Sequence, residues 1–262
     1  MLGVVEGLTE FLPISSTGHL ILVAWILRLE GEAVKTMEIV VQAGALAAVV
    51  GLYGSRIRSL WRGLRGRDPS GYALLINLAV SVLPVAVLGA WLHRTIKARL
   101  FGVWPVILAL AVGGIVMIVV DRWGRLPRTG QRVRNLESVK PREALWIGCA
   151  QCLSLWPGTS RAMVTLVAGL FVGLPPAVAA EYSFLLALPT LGAATLWSVM
   201  TDGRLLIREV PWLSIAVGVG AAAVVAVLAM RGFLRYLIRR GLAPFGWYRI
   251  GLATTVWLLG VH

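Results

Sequence analysis

Acidic residues are scarce in this chain: 12 Asp and Glu among 262 residues, against 25 Lys and Arg, so that charged residues make up only 14%. With 58% hydrophobic residues and a mean hydropathy of +0.81, that little charge excludes an ordinary soluble domain and indicates an integral membrane protein. Runs of alternating polarity are also missing, and the apolar runs are continuous, so the spans are expected to be helices rather than barrel strands. Cysteine is nearly absent. Cys149 and Cys152 form a lone C-x-x-C in an apolar segment, without the two further ligands of a zinc site or the βαβ context of a redox site, and are expected to be packing residues. No basic stretch with a small-residue cleavage site precedes the first apolar run, so no removable signal peptide is expected. The net charge of +13 does not point to nucleic acid, because the basic residues fall in short loops between apolar runs. Anionic lipid headgroups and a phosphate substrate fit that distribution better.

Apolar runs able to cross a bilayer lie near 36–53, 72–92, 102–120, 176–200, 211–230 and 242–262. Each is close to the roughly 20 residues a spanning helix needs. Two further apolar regions, 1–28 and 144–175, are interrupted by Pro13 and by Pro157-Gly158. Their halves are too short to cross, which predicts re-entrant helix-loop-helix hairpins. The expected fold is an all-α polytopic membrane protein of six transmembrane helices and two such hairpins. It forms a single integral membrane domain over 1–262, with pseudo-repeats at about 1–125 and 140–262. The connections 54–71, 121–143 and 231–241 are rich in arginine and fall on one side of this arrangement, which the positive-inside rule makes the cytoplasm. The connections 29–35 and 201–210 are balanced in charge on the opposite side, and 93–99, with Arg94, Lys97 and Arg99, runs against the rule.

The repeat rests on the likeness of Gly3-Val-Val-Glu6-Gly-Leu8-Thr9 to Gly148-Cys-Ala-Gln151-Cys-Leu153-Ser154. With one residue dropped before Pro157, Ser15-Ser16 answers to Thr159-Ser160, and Glu38 to Glu181. The hairpins enter from opposite sides, as inverted repeats do when interrupted helices meet at an intramembrane site.

The first interruption concentrates polar groups: Glu6, Thr9, Glu10, Ser15, Ser16, Thr17 and His19. Glu6 and Glu10 share a helix face and would repel, which implies a cation or a shared proton between them. Pro13 stops the helix, and Ser15, Ser16 and Thr17 are ready N-caps for a new one near Gly18, whose free N–H groups suit a phosphate. His19 is spaced to meet Ser16 across the first turn. The second interruption reads Trp156-Pro157-Gly158-Thr159-Ser160-Arg161. A guanidinium at membrane depth needs a partner, and Glu181, the Glu6/Glu10 pair or a phosphate are the candidates for Arg161. If the hairpin tips meet, one cavity holds Glu6, Glu10, Ser16, His19, Ser160 and Arg161, a set suited to phosphoryl transfer. Glu181 and Ser183 are expected as supports behind that site, Gln42 and Asn77 as interhelical hydrogen-bond partners, and His93 at the membrane interface.

At these residues the chain resembles the bacterial undecaprenyl pyrophosphate phosphatase family of the bacitracin-resistance type. The block E-G-x-x-E-F-L-P-[IV]-S-S-T-G-H is unbroken from Glu6 to His19, P-G-x-S-R runs from Pro157 to Arg161, and Glu181-Tyr-Ser-Phe follows as in the family. One position departs: Ala162 stands where the family usually has serine, while Thr165 is kept. The resemblance implies removal of the terminal phosphate from a C55 isoprenyl pyrophosphate, recycling the lipid carrier of cell-wall synthesis. It also implies dependence on a divalent cation, interleaved inverted repeats, and a multi-pass protein of the bacterial cytoplasmic (inner) membrane whose site faces the periplasm. The family roles fall on Glu6, Glu10, Ser16, His19, Ser160 and Arg161, with Thr17 as a phosphate contact. The corresponding mechanism has Glu6 and Glu10 holding Mg²⁺ or Ca²⁺, Arg161 and Ser160 binding phosphate, and Ser16 attacking with His19 as base, or His19 attacking with Ser16 as ligand. A lipid flippase or ion-coupled transporter is the rival reading, and the oligomeric state is open, a homodimer included.

Overall fold

A computed structural model describes residues 1–29, 31–100, 103–123 and 134–259, with side chains for all of these except 25, 32, 35 and 93–99. Among the described residues the chain is helical throughout. Its first half comprises α1 (Leu2–Thr9), α2 (Ser16–Ile26), α3 (Glu32–Val40), α4 (Gln42–Leu52), α5 (Gly54–Leu64), α6 (Pro69–Leu100) and α7 (Val103–Trp123). The second half comprises α8 (Pro141–Gln151), α9 (Arg161–Phe171), α10 (Pro176–Glu209), α11 (Trp212–Arg240) and α12 (Ala243–Leu258), with 3-10 turns at Leu136–Ser138 and Cys152–Leu155.

Among the described residues four helices, α6, α7, α10 and α11, are long and apolar enough to cross a membrane. A fifth span is available if the segment Thr36–Leu52 is counted with α5, from which it bends by 84°. The sixth apolar run yields α12, whose 16 residues cover only about 24 Å of a roughly 30 Å hydrocarbon layer. Four connections differ from expectation. The arginine-rich stretch after residue 53 is a helix, α5; 93–99 continues α6 to Leu100, 201–210 continues α10 as far as Glu209, and 231–241 continues α11 to Arg240. The side chains of His93 and its basic neighbours, and residues 124–133 of the long arginine-rich loop, lie outside the described residues.

Local chemistry explains several boundaries. Pro141 opens α8, where the Glu143 carboxylate accepts the Lys140 N–H at 2.9 Å. At the start of α12 the Asp121 carboxylate accepts the N–H groups of Leu242 and Ala243 at 3.1 and 3.2 Å. Such a cap is worth about 1 kcal/mol.

Close helix contact seats the first hairpin. A Cβ on Gly3 or Gly7 would strike the α11 backbone at Gly218 or Ala222, so α1 lies against α11 nearly backbone to backbone. Below it, Phe11 is fully buried and meets Phe184 edge-on at 5.3 Å, in a core that continues through Phe233 and Phe245. Polar ties join α6 to α8 and α10: Asn77 Nδ2 donates to the Val139 carbonyl at 2.8 Å, the Ser81 hydroxyl to the Ala144 carbonyl at 2.7 Å, and the Tyr182 hydroxyl to the Asn77 carbonyl at 3.0 Å. The Asn77 side chain, expected between helices, reaches the connection ahead of α8 instead, and only its main-chain carbonyl ties α6 to α10. Cys149 is exposed on α8 rather than packed, and both cysteines are free thiols.

Candidate active site

Two interrupted helices are rebuilt in the same way on either side of the site. Each new helix starts after a serine with positive φ, Ser15 at 73° and Ser160 at 72°. Ser15 Oγ accepts the Gly18 N–H and Ser160 Oγ accepts the Met163 N–H, both at 3.3 Å. The caps are therefore Ser15 and Ser160, and α2 begins at Ser16 rather than near Gly18. This has a chemical consequence: with the cap taken by Ser15, the Ser16 hydroxyl is left for other work. It also changes the internal correspondence. One unbroken spacing in the chain relates Ser15 to Ser160, Ser16 to Arg161 and Glu6 to Gln151, and no residue needs to be dropped.

The Ser16 hydroxyl donates to Glu10 Oε2 at 2.6 Å. The other oxygen of Glu10 accepts from Arg161 Nη2 at 3.0 Å, in an ion pair whose side chains are 6% and 9% exposed. Arg161 also donates from Nη1 to the Ser183 carbonyl at 2.7 Å and lies 5.8 Å from the centre of the Phe11 ring. Thr165 backs this arrangement, donating to the Arg161 carbonyl at 2.8 Å or sharing a hydrogen bond with the Ser183 hydroxyl at 2.6 Å. Ala162 is buried in α9 at 3% exposure, so a hydroxyl is not needed there for the Arg161 contacts.

These groups open onto a cavity of about 220 Å³ lined by Glu10, Ser16, Thr17, Gln151, Ser160 and Arg161, with Val85 and Leu191 among its apolar walls. That is smaller than the roughly 300–1,000 Å³ of typical ligand pockets and suits a polar head group more than a long chain. Pro84 and Pro189 interrupt the hydrogen-bond ladders of α6 and α10 immediately before the lining residues Val85 and Thr190.

The hairpins thus bring together Glu10, Ser16, Thr17, Ser160 and Arg161. Glu6, one turn before Glu10, is fully buried and lies against the Glu10 carboxylate, and no N–H or hydroxyl donates to either of its oxygens. His19 does not meet Ser16. Its Nδ1 lies 2.7 Å from the Ser15 carbonyl and its Nε2 2.7 Å from the Tyr248 hydroxyl, with the two rings parallel at 5.7 Å. Glu181 does not reach Arg161 either: it accepts from Arg56 Nε at 2.9 Å, and Arg56 bridges onward to Glu137. Ser183, by contrast, stands directly behind the site, through both its carbonyl and its hydroxyl. Gln42, expected between helices, lines the cavity instead.

Arg249 is the residue that sequence reasoning missed. It is fully buried and donates to five main-chain carbonyls: Ala109 and Leu110 of α7, Pro13 of the first hairpin, and Gly158 and Thr159 of the second, at 2.8 to 3.2 Å. Gly113 leaves it room, since a Cβ there would collide with the guanidinium. The available signal was a lone cation inside the apolar run 242–262.

The family profile described as bacitracin resistance protein BacA matches residues 1–255. An undecaprenyl-diphosphatase of Sorangium cellulosum is 51% identical over 261 residues, covering 98% of this chain and 84% of the relative. Undecaprenyl-diphosphatases of Rhizorhabdus wittichii and Nitrosomonas europaea are 42% and 40% identical, covering 99% and 98% of this chain and 96% and 92% of their own lengths. Family and relatives match nearly end to end, across both interrupted hairpins, and the chain belongs to the bacitracin resistance protein BacA family.

Proposed function

We propose that this multi-pass membrane protein is an undecaprenyl diphosphate phosphohydrolase, releasing inorganic phosphate and the lipid monophosphate that carries cell-wall precursors. The observation that carries this reading is the Ser16 hydroxyl, donated to a carboxylate that is itself paired with Arg161, in a cavity sized for a polar head group. A transporter has no need for a hydroxyl activated in this way.

The chemistry follows from the contacts. In the resting site Arg161 is paired with Glu10. An arriving terminal phosphate competes for the guanidinium, and the N–H groups at the starts of α2 and α9, beside Thr17 and Ser160, favour the same anion. Glu10, relieved of its partner, takes the Ser16 proton as Oγ attacks phosphorus. The Oγ–P bond forms, the bond from phosphorus to the bridging oxygen breaks, and the lipid monophosphate leaves. Water then attacks the phosphoserine and its protons stay with the departing phosphate, while Glu10 returns to Oγ the proton it took, and inorganic phosphate is released. His19 orders the beginning of α2 through Ser15 rather than accepting the Ser16 proton.

Glu6 supports a divalent cation. Two buried carboxylates in contact demand a shared proton or a cation, and hard oxygen donors from Glu6 and Glu10 suit Mg²⁺ or Ca²⁺. No cluster of three His, Cys, Asp or Glu ligands occurs among the described residues, so water and substrate phosphate would have to supply the remaining ligands of such an ion. When bound, such an ion neutralises charge on the diphosphate.

We also infer the finer topology. The short helices of 1–28 and 144–175 are read as re-entrant hairpins between six spans, in interleaved inverted repeats of one domain, about 1–125 and 140–262. The arginine-rich α5 supports a cytoplasmic side, and hence a site facing the periplasm from the bacterial inner membrane.

The test is phosphate release from undecaprenyl diphosphate by purified protein in detergent with Mg²⁺, Ca²⁺ or chelator, beside Ser16→Ala. Metal-dependent release lost in the variant is expected, with an acid-stable phosphoenzyme on quenching. An acid-labile phosphoenzyme would move the nucleophile to His19. No release from folded protein under any metal would return the transporter reading. Thiol labelling of single cysteines from outside should reach 201–210 and spare α5.

A further inference from the structure

Gln151, the last residue of α8, is 1% exposed, yet neither its amide oxygen nor its amide nitrogen has a hydrogen-bond partner, and the side chain lines the cavity beside Ser16 and Arg161. Buried amides are ordinarily paired; even Asn77, whose Oδ1 has no partner, donates from Nδ2 to the Val139 carbonyl, so an amide with both atoms unpaired at a cavity wall points to a ligand. The capping serines give a second, independent indication of what that ligand is. The spacing that relates Ser15 to Ser160 relates Gln151 to Glu6; both are fully buried, Gln151 with no partner for its amide and Glu6 with only the Glu10 carboxylate beside it. They differ in chemistry. A carboxylate offers only acceptors and a negative charge, whereas an amide offers two N–H donors and no charge. The same spacing sets Ser16 against Arg161. The first hairpin therefore presents Glu6, Glu10 and Ser16, suited to a cation, a proton and nucleophilic attack. The second presents Gln151, Ser160 and Arg161, suited to an anion.

We infer that Gln151 is a substrate-binding residue whose Nε2 donates to an oxygen of the diphosphate head group, supplying affinity for the anion without further charge. This deepens the phosphohydrolase reading and rests on it. A neutral donor here complements Arg161: it holds the phosphate without drawing the Glu10 carboxylate away from Ser16, as a second cation would.

The experiment compares wild type, Gln151→Met and Gln151→Glu. Each is assayed for KM and kcat in phosphate release from undecaprenyl diphosphate, and for the shift in melting temperature produced by inorganic pyrophosphate. Methionine keeps the length and removes the hydrogen bond; glutamate keeps the shape and adds a repelling charge. Gln151→Met is expected to raise KM about tenfold with kcat within about twofold, the loss of one hydrogen bond to a charged group. Its melting temperature without ligand is expected to match or exceed wild type, because an unpaired buried amide has gone, while the pyrophosphate shift is lost. Gln151→Glu is expected to raise KM further. Wild-type KM and an undiminished pyrophosphate shift in both variants would overturn the inference, as would a fall in melting temperature and kcat with KM unchanged, the mark of a structural residue. If wild type releases no phosphate, the functional reading fails by itself, and the pyrophosphate shift still reports on the amide.

Discussion

Replacing Arg249 with methionine removes five hydrogen bonds to main-chain carbonyls at once, and those carbonyls belong to α7 and to the tips of both hairpins. A hydrogen bond involving a charged group contributes about 1.5–3 kcal/mol. Five independent bonds would sum to the whole stability of an ordinary protein, about 5–15 kcal/mol, so the contributions are not additive. The hairpin tips relax and water or lipid headgroups reach the freed carbonyls, which leaves a net loss on the order of 3–5 kcal/mol, as for other broken buried charge contacts. In a chain of this size that lowers the melting temperature by about 6–20 °C. Arg249→Lys keeps the charge but only three donors on one atom in place of the fork, and is expected to fall between the two. The assay is thermal unfolding in detergent, together with phosphate release well below the melting temperature of each variant. Because Pro13 precedes Ser15-Ser16 and Gly158-Thr159 precede Ser160-Arg161, activity is expected to fall in the same order as stability. An Arg249→Met protein as stable and as active as wild type would refute the idea that this guanidinium holds the two tips together.

Three further outcomes follow from the geometry. Glu10→Gln removes the acceptor of the Ser16 proton and unpairs Arg161, so kcat for phosphate release is expected to drop about 10²–10⁴-fold. Ser160→Gly is expected to be at least as stable as wild type, because the release of positive-φ strain of about 1 kcal/mol or more exceeds the few tenths lost at the cap, whereas Ser160→Ala keeps the strain and loses about 1 kcal/mol; comparing their melting temperatures checks this reversal of helix propensity. At Glu143, burial pushes the carboxyl upward, but the Arg134 guanidinium at 2.6 Å and the Lys140 N–H outweigh it and hold the group below the ordinary 4.5. A depressed carboxyl stabilises fully above its unfolded value and loses that contribution as pH falls through the folded one, so denaturation measured below about pH 4.5 should show a steeper acid loss in wild type than in Glu143→Gln.

From composition and pattern alone, this chain is determined to be a helical membrane protein with two apolar segments interrupted by proline. Hydropathy and breakers act largely locally: Pro13 and Pro157 fall in the breaks between short helices, although Pro84 and Pro189 are carried inside the long helices α6 and α10, and a polar cluster in an apolar run marks a site whatever lies opposite. Pro13 and Pro157, the carboxylates Glu6 and Glu10, and Arg161 were legible for that reason. The tertiary structure decided the partners. Spacing puts His19 within reach of Ser16, but the ring turns to Tyr248, 229 residues away. Glu181 is near enough in sequence to serve Arg161, yet it faces Arg56, and Ser183 takes that place. Ser15 and Ser16 are equivalent as candidate caps until a backbone with positive φ selects one and frees the other. Arg249 appeared only as a stray charge, because its five acceptors are carbonyls common to every residue and become a binding site only when three distant segments converge. Helical periodicity states which residues share a face, whereas the rotation of each helix about its axis is set by packing against neighbours far along the chain.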